Sequence, residues 1–140
     1  MNTNSSDNSK RKLEQASAAL RWFQTMRNES EWGLSTSEQL RLLGGMEERE
    51  FIRVSELASE RQNVKLSEDT FERLSLIVSI YKILKEIAPT NDLQAGVKWF
   101  STPNKNDFFR GKSPKSYLVG ADSVDAMKGV HRHLSSLRNG

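Results

Sequence analysis

Two histidines near the carboxyl end are the residues whose type and spacing come closest to a metal site. His131 and His133 lie two positions apart, and side chains at that spacing on a helix point roughly 200° apart. The chain has no cysteine, which removes thiol nucleophiles, disulfides and cysteine-ligated zinc. Because no third histidine or cysteine exists to complete a ligand set, we expect no metal site and no bound cofactor.

The acidic and glycine-rich segments are also expected to be structural. The acids of segments 47–50 and 122–125 stand where helices should begin, and negative charge in a first turn is favoured by the helix dipole. Neither Gly44-Gly45 nor Gly111-Lys112-Ser113 has the glycine spacing of a phosphate-binding loop. The sequence therefore predicts no catalytic residues and no enzymatic activity.

Charge is unevenly distributed along the 140 residues. The net charge is +3, made of −2 in residues 1–70 and +5 in residues 71–140. A positive balance favours a polyanionic partner, and the second half is where such a partner is expected to bind.

No segment has the character of a membrane span or a secretory signal. The longest apolar stretch, Leu74 to Ala88, is interrupted by Lys82, Lys85 and Glu86 and is too short to cross a bilayer. The amino terminus lacks the apolar core of a signal peptide. We therefore expect a cytoplasmic protein that does not act at a membrane.

Apolar residues recur at steps of three and four, which predicts an all-α fold. Residues 1–9 are rich in Asn and Ser and are expected to form a disordered tail. A first helix follows from Lys10 to about Arg27. Ser35 and Glu38 have the spacing of a capping box and open a second helix, which Gly44-Gly45 should end.

The rest of the chain is expected to continue as helices. They are a third helix at about 47–59, a long fourth helix at 67–88 ended by Pro89, a short helix within 90–100, a helical turn at Tyr117-Leu118 and a last helix from Val124, capped by Asp122 or Ser123. The fourth helix has two apolar stripes, which predicts that it is central or is covered partly by a second chain.

The second and third helices have the outline of a helix-turn-helix, since a short glycine turn separates them. Residues 10–66 are therefore predicted to form a helix-turn-helix domain, and residues 67–140 a second, helical domain. The candidate DNA-binding residues are Arg41, Arg49, Arg53 and Lys65. The acids that begin the third helix oppose phosphate binding, so a plain helical scaffold is the alternative interpretation.

A set of motifs in a fixed order then identifies a family. The motifs of the second half are Trp99-Phe100, Pro103-Asn104, Phe109 to Pro114, Leu118 and Val124 to Gly140. Those before them are Leu40 to Gly44, Leu66 to Ser75 and Ile80 to Leu84. Over about residues 34–140 the chain resembles the Xre/MbcA/ParS-type antitoxins, and most closely the Xre family members paired with RES-domain toxins.

The resemblance implies a type II antitoxin with two parts. In this family an Xre/Cro-like helix-turn-helix binds the promoter of its own operon, and a small carboxyl-terminal domain binds the toxin. RES toxins resemble ADP-ribosyltransferases and deplete NAD, and the antitoxin covers the entrance of their active site. The implied partners are therefore a cognate RES-domain toxin, promoter DNA and a second copy of the chain, as a homodimer or a higher oligomer.

Toxin-binding residues follow from the same resemblance, position by position. The candidates are Trp99, Asn104, Phe109, Arg110, Gly111, Lys112, Ser113, Arg132, Arg138, Asn139 and Gly140. Arg110 replaces the first glycine of the family's Phe-Gly-Gly-x-Ser loop. Because the family's carboxyl-terminal end approaches the catalytic pocket of the toxin, the last three residues are candidate pocket blockers. A place in the core is the alternative for Trp99.

The third helix is where the sequence departs most from the family. Family members often have a start rich in Pro, Arg, Ser and Thr, followed by Tyr and Trp, whereas this chain has Met46 to Arg53 (MEEREFIR). The resemblance therefore supports toxin binding more strongly than DNA binding. A stand-alone helix-turn-helix regulator of transcription is the alternative function, and a small helical enzyme is a remote third.

Overall fold

A computed structural model describes residues 3–87, 94–121 and 123–139, with side chains from Asp7 onward. Its helices are α1 (Thr3–Thr25), α2 (Thr36–Leu42), α3 (Glu48–Ser59), α4 (Glu68–Ile87), α5 (Ala95–Ser101), α6 (Pro114–Val119) and α7 (Val124–Asn139), with a 3₁₀ turn at Asp107–Phe109 before α6. No strand occurs in these residues. The predicted all-α fold is therefore confirmed.

The first helix begins earlier than the sequence predicted. Helix α1 starts at Thr3 rather than at Lys10, so the prediction of a disordered tail at 1–9 is wrong from Thr3 onward. Residues 3–9 contain neither Gly nor Pro. Once a helix is nucleated, each added residue contributes another hydrogen bond at little cost, which allows these polar residues to extend α1.

The predicted boundaries of the second helix are confirmed. The Ser35 hydroxyl accepts a hydrogen bond from the Glu38 N–H (3.1 Å), and the Ser35 N–H donates to the Glu38 carboxylate (2.9 Å). After α2, Gly44 and Gly45 take φ values of +87° and +81°, a region that favours glycine. The Gly45 N–H then closes the turn on the Leu40 carbonyl at 2.9 Å.

Helix α4 is the centre of the molecule. It packs against α7 on one side and α1 on another, and it buries Leu74, Ile77, Ile80, Ile83 and Leu84. The Ser67 hydroxyl caps its start by accepting from the Thr70 N–H at 3.2 Å. The predicted stop at Pro89, the beginning of the predicted helix within 90–100, and the predicted cap at Asp122 lie outside the described residues.

A stacked aromatic pair joins the two halves of the chain. Trp32, in the α1–α2 connection, stacks on Phe100 of α5 with ring centroids 3.8 Å apart, and both side chains are buried. Tyr81 of α4 meets the edge of Trp32 and donates a hydrogen bond to Glu31 at 2.7 Å. Burial, and then the Glu31 carboxylate, raise the pKa of Tyr81 to about 12. The buried core is thus continuous across residues 66 and 67, where the sequence predicted a domain boundary.

Candidate functional site

The segment from α2 through the glycine turn to α3, here called the α2–α3 unit, holds three of the four candidate DNA-binding residues. Arg41 lies on α2 beside the glycine turn, while Arg49 and Arg53 lie on the exposed face of α3. Lys65 follows α3 and lies on another side of the same turn, in a pocket that also contains Glu50 and Asp69. The structure therefore places Arg41 and Lys65 around the glycine turn, and Lys65 shares its pocket with Glu50, the partner of Arg53.

The exposed face of α3 has a negative balance. Arg53 is paired with Glu50, its Nε donating to the carboxylate at 3.2 Å. The hydrogen bond from Arg53, and then its charge, lower the pKa of Glu50 below its ordinary value. Because Glu47, Glu48 and Glu56 are also exposed, the charge of Arg53 is compensated locally and phosphate would meet surplus acid.

The α2–α3 unit is held by polar groups that sequence reasoning did not identify. Gln39 is fully buried and its amide donates to the Phe23 carbonyl of α1 at 2.9 Å. Arg73 of α4 is also buried, and its Nε donates to Asp69 at 2.8 Å beside Gly44. Nothing in the local spacing distinguishes these residues from exposed polar ones, because their burial depends on where α1 and α4 pack.

Hydrogen bonds within the segment close the candidate toxin-binding loop. The Asn104 N–H donates to the Lys112 carbonyl at 3.1 Å, and the Asn104 side chain accepts from the Asn106 N–H at 2.8 Å. Arg110, Gly111 and Lys112 are exposed at the tip, where Arg110 and Gly111 both have positive φ. The loop therefore presents two cations on a fixed turn.

Two predicted contact residues are corrected by their burial. Phe109 is completely buried, with its ring edge-on to those of Trp99, Tyr117 and His133, each at 5.6 Å. Ser113 is also buried, and its hydroxyl accepts from the Ser116 N–H at 3.0 Å as the cap of α6. Neither side chain is exposed to a partner in this conformation, so both hold the loop rather than form its surface.

Trp99 and the end of α7 supply the remaining candidate toxin-binding residues. Trp99 is half-buried against Phe109. It packs partly in the core, as the alternative interpretation predicted, and partly remains accessible to a partner. Arg132 and Asn139 are exposed. Arg138 is exposed and pairs with Glu86 of α4 at 3.1 Å. Gly140, the last candidate pocket blocker, lies outside the described residues.

His133 of α7 packs in an aromatic cluster. His133 stacks on the ring of Phe108 with centroids 5.0 Å apart and an angle of 6°. In the parts of the chain that the structure describes, no three His, Asp or Glu side chains are grouped as metal ligands. The ring stack gives His133 a packing role in the same aromatic cluster that holds Phe109.

A salt bridge joins the two candidate surfaces. Lys115 of α6 lies 3.3 Å from Glu38 of α2, so the capping box of α2 is connected to the helix that follows the candidate toxin-binding loop. Burial acts to raise the pKa of Glu38, but the Ser35 hydrogen bond and Lys115 lower it more, and the net pKa lies below its ordinary value.

We expect Glu38→Gln to remove a pH-dependent part of the stability. A carboxyl whose pKa is lowered by folding contributes stability above its unfolded pKa, and loses that contribution as the pH falls through the folded pKa. Glutamine keeps the capping acceptor but not the charge. Glu38→Gln should therefore lower the free energy of unfolding by about 0.5 kcal/mol at neutral pH and leave it unchanged at strongly acidic pH. Urea unfolding at both pH values measures this, with the exposed Glu14→Gln as the control. A cost that is equal at both pH values would contradict the prediction.

The described residues define an all-helical protein, with exposed cations on the loop after α5 and on α7 as well as on other parts of the surface. Within those residues no helix is long and apolar enough to cross a membrane. The sequence is 34% identical over 109 residues to "Uncharacterized protein y4oB" of Sinorhizobium fredii (strain NBRC 101917 / NGR234), an alignment that covers 78% of this chain and 77% of the relative. The chain therefore belongs to the same protein family as y4oB. Neither a family model nor a solved structure matches the sequence.

Proposed function

We propose that the protein is the antitoxin of a type II toxin–antitoxin system and neutralises a RES-type toxin that degrades NAD. The observation that carries the proposal is the loop of residues 102–113. Its tip presents Arg110 and Lys112 to solvent while Phe109 and Ser113 hold it from inside. A rigid scaffold that presents a fixed charged loop is suited to covering a pocket on another protein, because little conformational entropy is lost on binding.

The charge distribution on this surface supports binding of an anionic partner. Arg110, Lys112 and Arg132 are exposed, and no ion pair is found for them among the described side chains. An anionic surface around the entrance of a nucleotide-binding pocket would be complementary to these cations. We expect association with the toxin to weaken as salt is added, because exposed charges are screened.

The division of the chain into a DNA-binding part and a toxin-binding part belongs to the same proposal. We assign the α2–α3 unit as a helix-turn-helix and residues 67–140 as the toxin-binding part. The short glycine turn between α2 and α3 supports the first assignment, and autorepression of the operon is its functional consequence. The acidic exposed face of α3 leads us to expect weak promoter binding by the chain alone.

Co-expression with the product of the neighbouring gene tests the proposal. If that product is a RES-type toxin, the chain should restore growth and the NAD level, and the two proteins should co-purify. Failure to form a complex or to restore growth would overturn the antitoxin proposal. A promoter shift by the isolated chain with a steep salt dependence, together with no effect of the neighbouring product, would instead support a stand-alone regulator.

We expect the end of α7 to contribute directly to neutralisation. Arg138→Glu, or deletion of residues 138–140, should weaken toxin binding roughly tenfold or more because it reverses or removes a charge at the expected pocket. Titration of purified chain against the NAD-consuming activity of the toxin measures the loss. Glu86→Gln is the matched control, since it breaks the same ion pair but keeps Arg138. Equal losses in both variants would assign the effect to the fold of α7 instead.

A further inference from the structure

Gly129 and His133 of α7 hold the ring of Phe108 between them, in what is here called the ring slot. The two residues are four positions apart, so they lie on the same face of the helix, one turn from each other. A Cβ atom added to Gly129 would lie 3.4 Å from Cζ of Phe108. The His133 ring stacks on the Phe108 ring with centroids 5.0 Å apart. The ring of Phe108 therefore packs against α7 at two successive turns.

The glycine of the slot stands where a helix favours almost any other residue. Gly129 lies in the interior of α7, and in such a position only proline has a lower helix propensity than glycine. Among the described residues, the atoms that an added Cβ would meet within 4 Å are Cζ and Cε2 of Phe108, at 3.4 and 3.8 Å. The close approach of this ring therefore explains the glycine, because a branched side chain would occupy the space of the ring.

Phe108 is joined through the backbone to the cations of the loop tip. It lies at the centre of the 3₁₀ turn that immediately precedes the tip. The Arg110 N–H donates to the Asp107 carbonyl at 3.2 Å. The Lys112 N–H donates to the Phe109 carbonyl at 3.0 Å. Each exposed cation is thus hydrogen-bonded to a residue adjacent to Phe108, so a displacement of the Phe108 ring would move the backbone that carries both cations.

We propose that Phe108, Gly129 and His133 are positioning residues, which hold the loop of residues 102–113 closed against α7. The loop and α7 then present their exposed cations as one rigid surface. A partner finds this surface already formed, so that little conformational entropy is lost on binding. The identity of the partner rests on the proposed antitoxin function, whereas the closed state of the loop can be measured on the chain alone.

His133 contacts both consecutive aromatic residues of the loop. Its ring lies nearly parallel to that of Phe108, at an angle of 6°, and edge-on to that of Phe109, with centroids 5.6 Å apart. Both arrangements are favourable for flat rings at these distances. The histidine therefore acts here through the shape of its ring rather than as a metal ligand. Another flat ring at this position should keep the loop closed, whereas alanine should not.

Limited digestion of the folded chain with trypsin measures how often the loop opens. Trypsin cleaves after Arg and Lys in an extended segment. Arg110 has a φ of +53°, and Lys112 is hydrogen-bonded at both its N–H and its carbonyl. Cleavage after either residue therefore requires the loop to open, and its rate follows the population of the open form when reclosing is fast. Cleavage after Arg61, in the exposed connection between α3 and α4, is the reference within the same sample.

Gly129→Ile and Gly129→Ala separate the slot from the stability of α7. Both residues are better helix formers than glycine, so neither should weaken the helix itself. The alanine Cβ fits at 3.4 Å from the ring, whereas the branched isoleucine would displace it. Cleavage in the loop should accelerate about tenfold in Gly129→Ile and less than about twofold in Gly129→Ala, because only the first variant loses the aromatic contacts. Equal cleavage rates in the two variants would overturn the proposal.

Variants of His133 test the second wall of the slot. His133→Ala should accelerate cleavage in the loop about tenfold, and His133→Phe should keep the wild-type rate because a flat ring still stacks on Phe108. Leu137→Ala is the matched control, since Leu137 lies one turn further along α7 and is 52% exposed. If His133→Phe were cleaved as fast as His133→Ala, ring stacking would not be what holds the loop, contrary to the proposal.

Titration of the Gly129 variants against the NAD-consuming activity of the toxin connects the slot with neutralisation. Gly129→Ile should inhibit with an affinity about tenfold lower than that of Gly129→Ala, because its loop must be ordered on binding. Equal inhibition by the two variants despite unequal cleavage would overturn the positioning role and leave the antitoxin proposal standing. Failure of the wild-type chain to inhibit would overturn the antitoxin proposal alone, since the cleavage rates test the slot without a toxin.

Discussion

Replacing Gly44 by alanine is expected to lower the free energy of unfolding by about 3 kcal/mol. Gly44 has a φ of +87°, a conformation that costs any residue with a Cβ atom. An added Cβ would lie 2.9 Å from Nε of Arg73 and 3.1 Å from a carboxylate oxygen of Asp69. It would therefore displace a hydrogen-bonded ion pair whose arginine is buried, and a misplaced buried charge is expensive.

Gly45→Ala separates the two contributions to this effect. Gly45 has nearly the same φ, +81°, but no atom lies within 4 Å of the position a Cβ would take. Its replacement should lower the free energy of unfolding by about 1–2 kcal/mol, the conformational cost of placing a Cβ atom at positive φ. Urea unfolding of both variants, followed by circular dichroism, measures the difference. Equal losses would show that Arg73 and Asp69 move aside without cost, contrary to our expectation.

The glycine turn also shows how far the sequence alone could predict the fold. The two glycines were predicted to end α2, and the spacing of Ser35 and Glu38 predicted its beginning, because both signals are local. The contact of Gly44 with Arg73 was not predictable, since it depends on how α4 approaches the turn. The same is true of Gln39, whose buried amide binds the Phe23 carbonyl of α1.

The predictions for the amino terminus and for the candidate toxin-binding loop were wrong for two different physical reasons. The Asn/Ser-rich start lacked an apolar pattern, yet nothing in it interrupts a helix already formed by the residues after it. Phe109 and Ser113 were assigned as toxin contacts from matched motifs. A motif records which residue types recur at a position, and a residue can recur because it holds a loop as well as because it touches a partner.

The charge of the chain is better understood once α3 and α4 are compared. The net charge of +3 suggested a nucleic acid, but on α3 the pairing of Arg53 with Glu50 leaves surplus acid. Two acids of α4 are paired with α7, at Glu72 and Glu86. At the loop tip, Arg110 and Lys112 remain exposed, and a protein is the proposed partner there.

Replacing Phe100 by alanine should lower the free energy of unfolding by about 4 kcal/mol. The ring is completely buried and stacks on Trp32 at a centroid distance of 3.8 Å. Its loss would leave a cavity between the α1–α2 connection and α5. Leu137→Ala is the control. Because Leu137 is 52% exposed, its truncation should lower the free energy of unfolding by no more than about 0.5 kcal/mol.

The same variant tests whether the two halves of the chain fold as one unit. Trp32 precedes residue 66 and Phe100 follows it, so the stack crosses the predicted domain boundary. If the core is one cooperative unit, Phe100→Ala should shift a single unfolding transition observed equally by circular dichroism and by tryptophan fluorescence. In a double-mutant cycle with Trp32→Ala, the coupling should be about 1 kcal/mol. Two separate transitions, only one of which moves, would instead show that the halves unfold independently and that the stack contributes little to joining them.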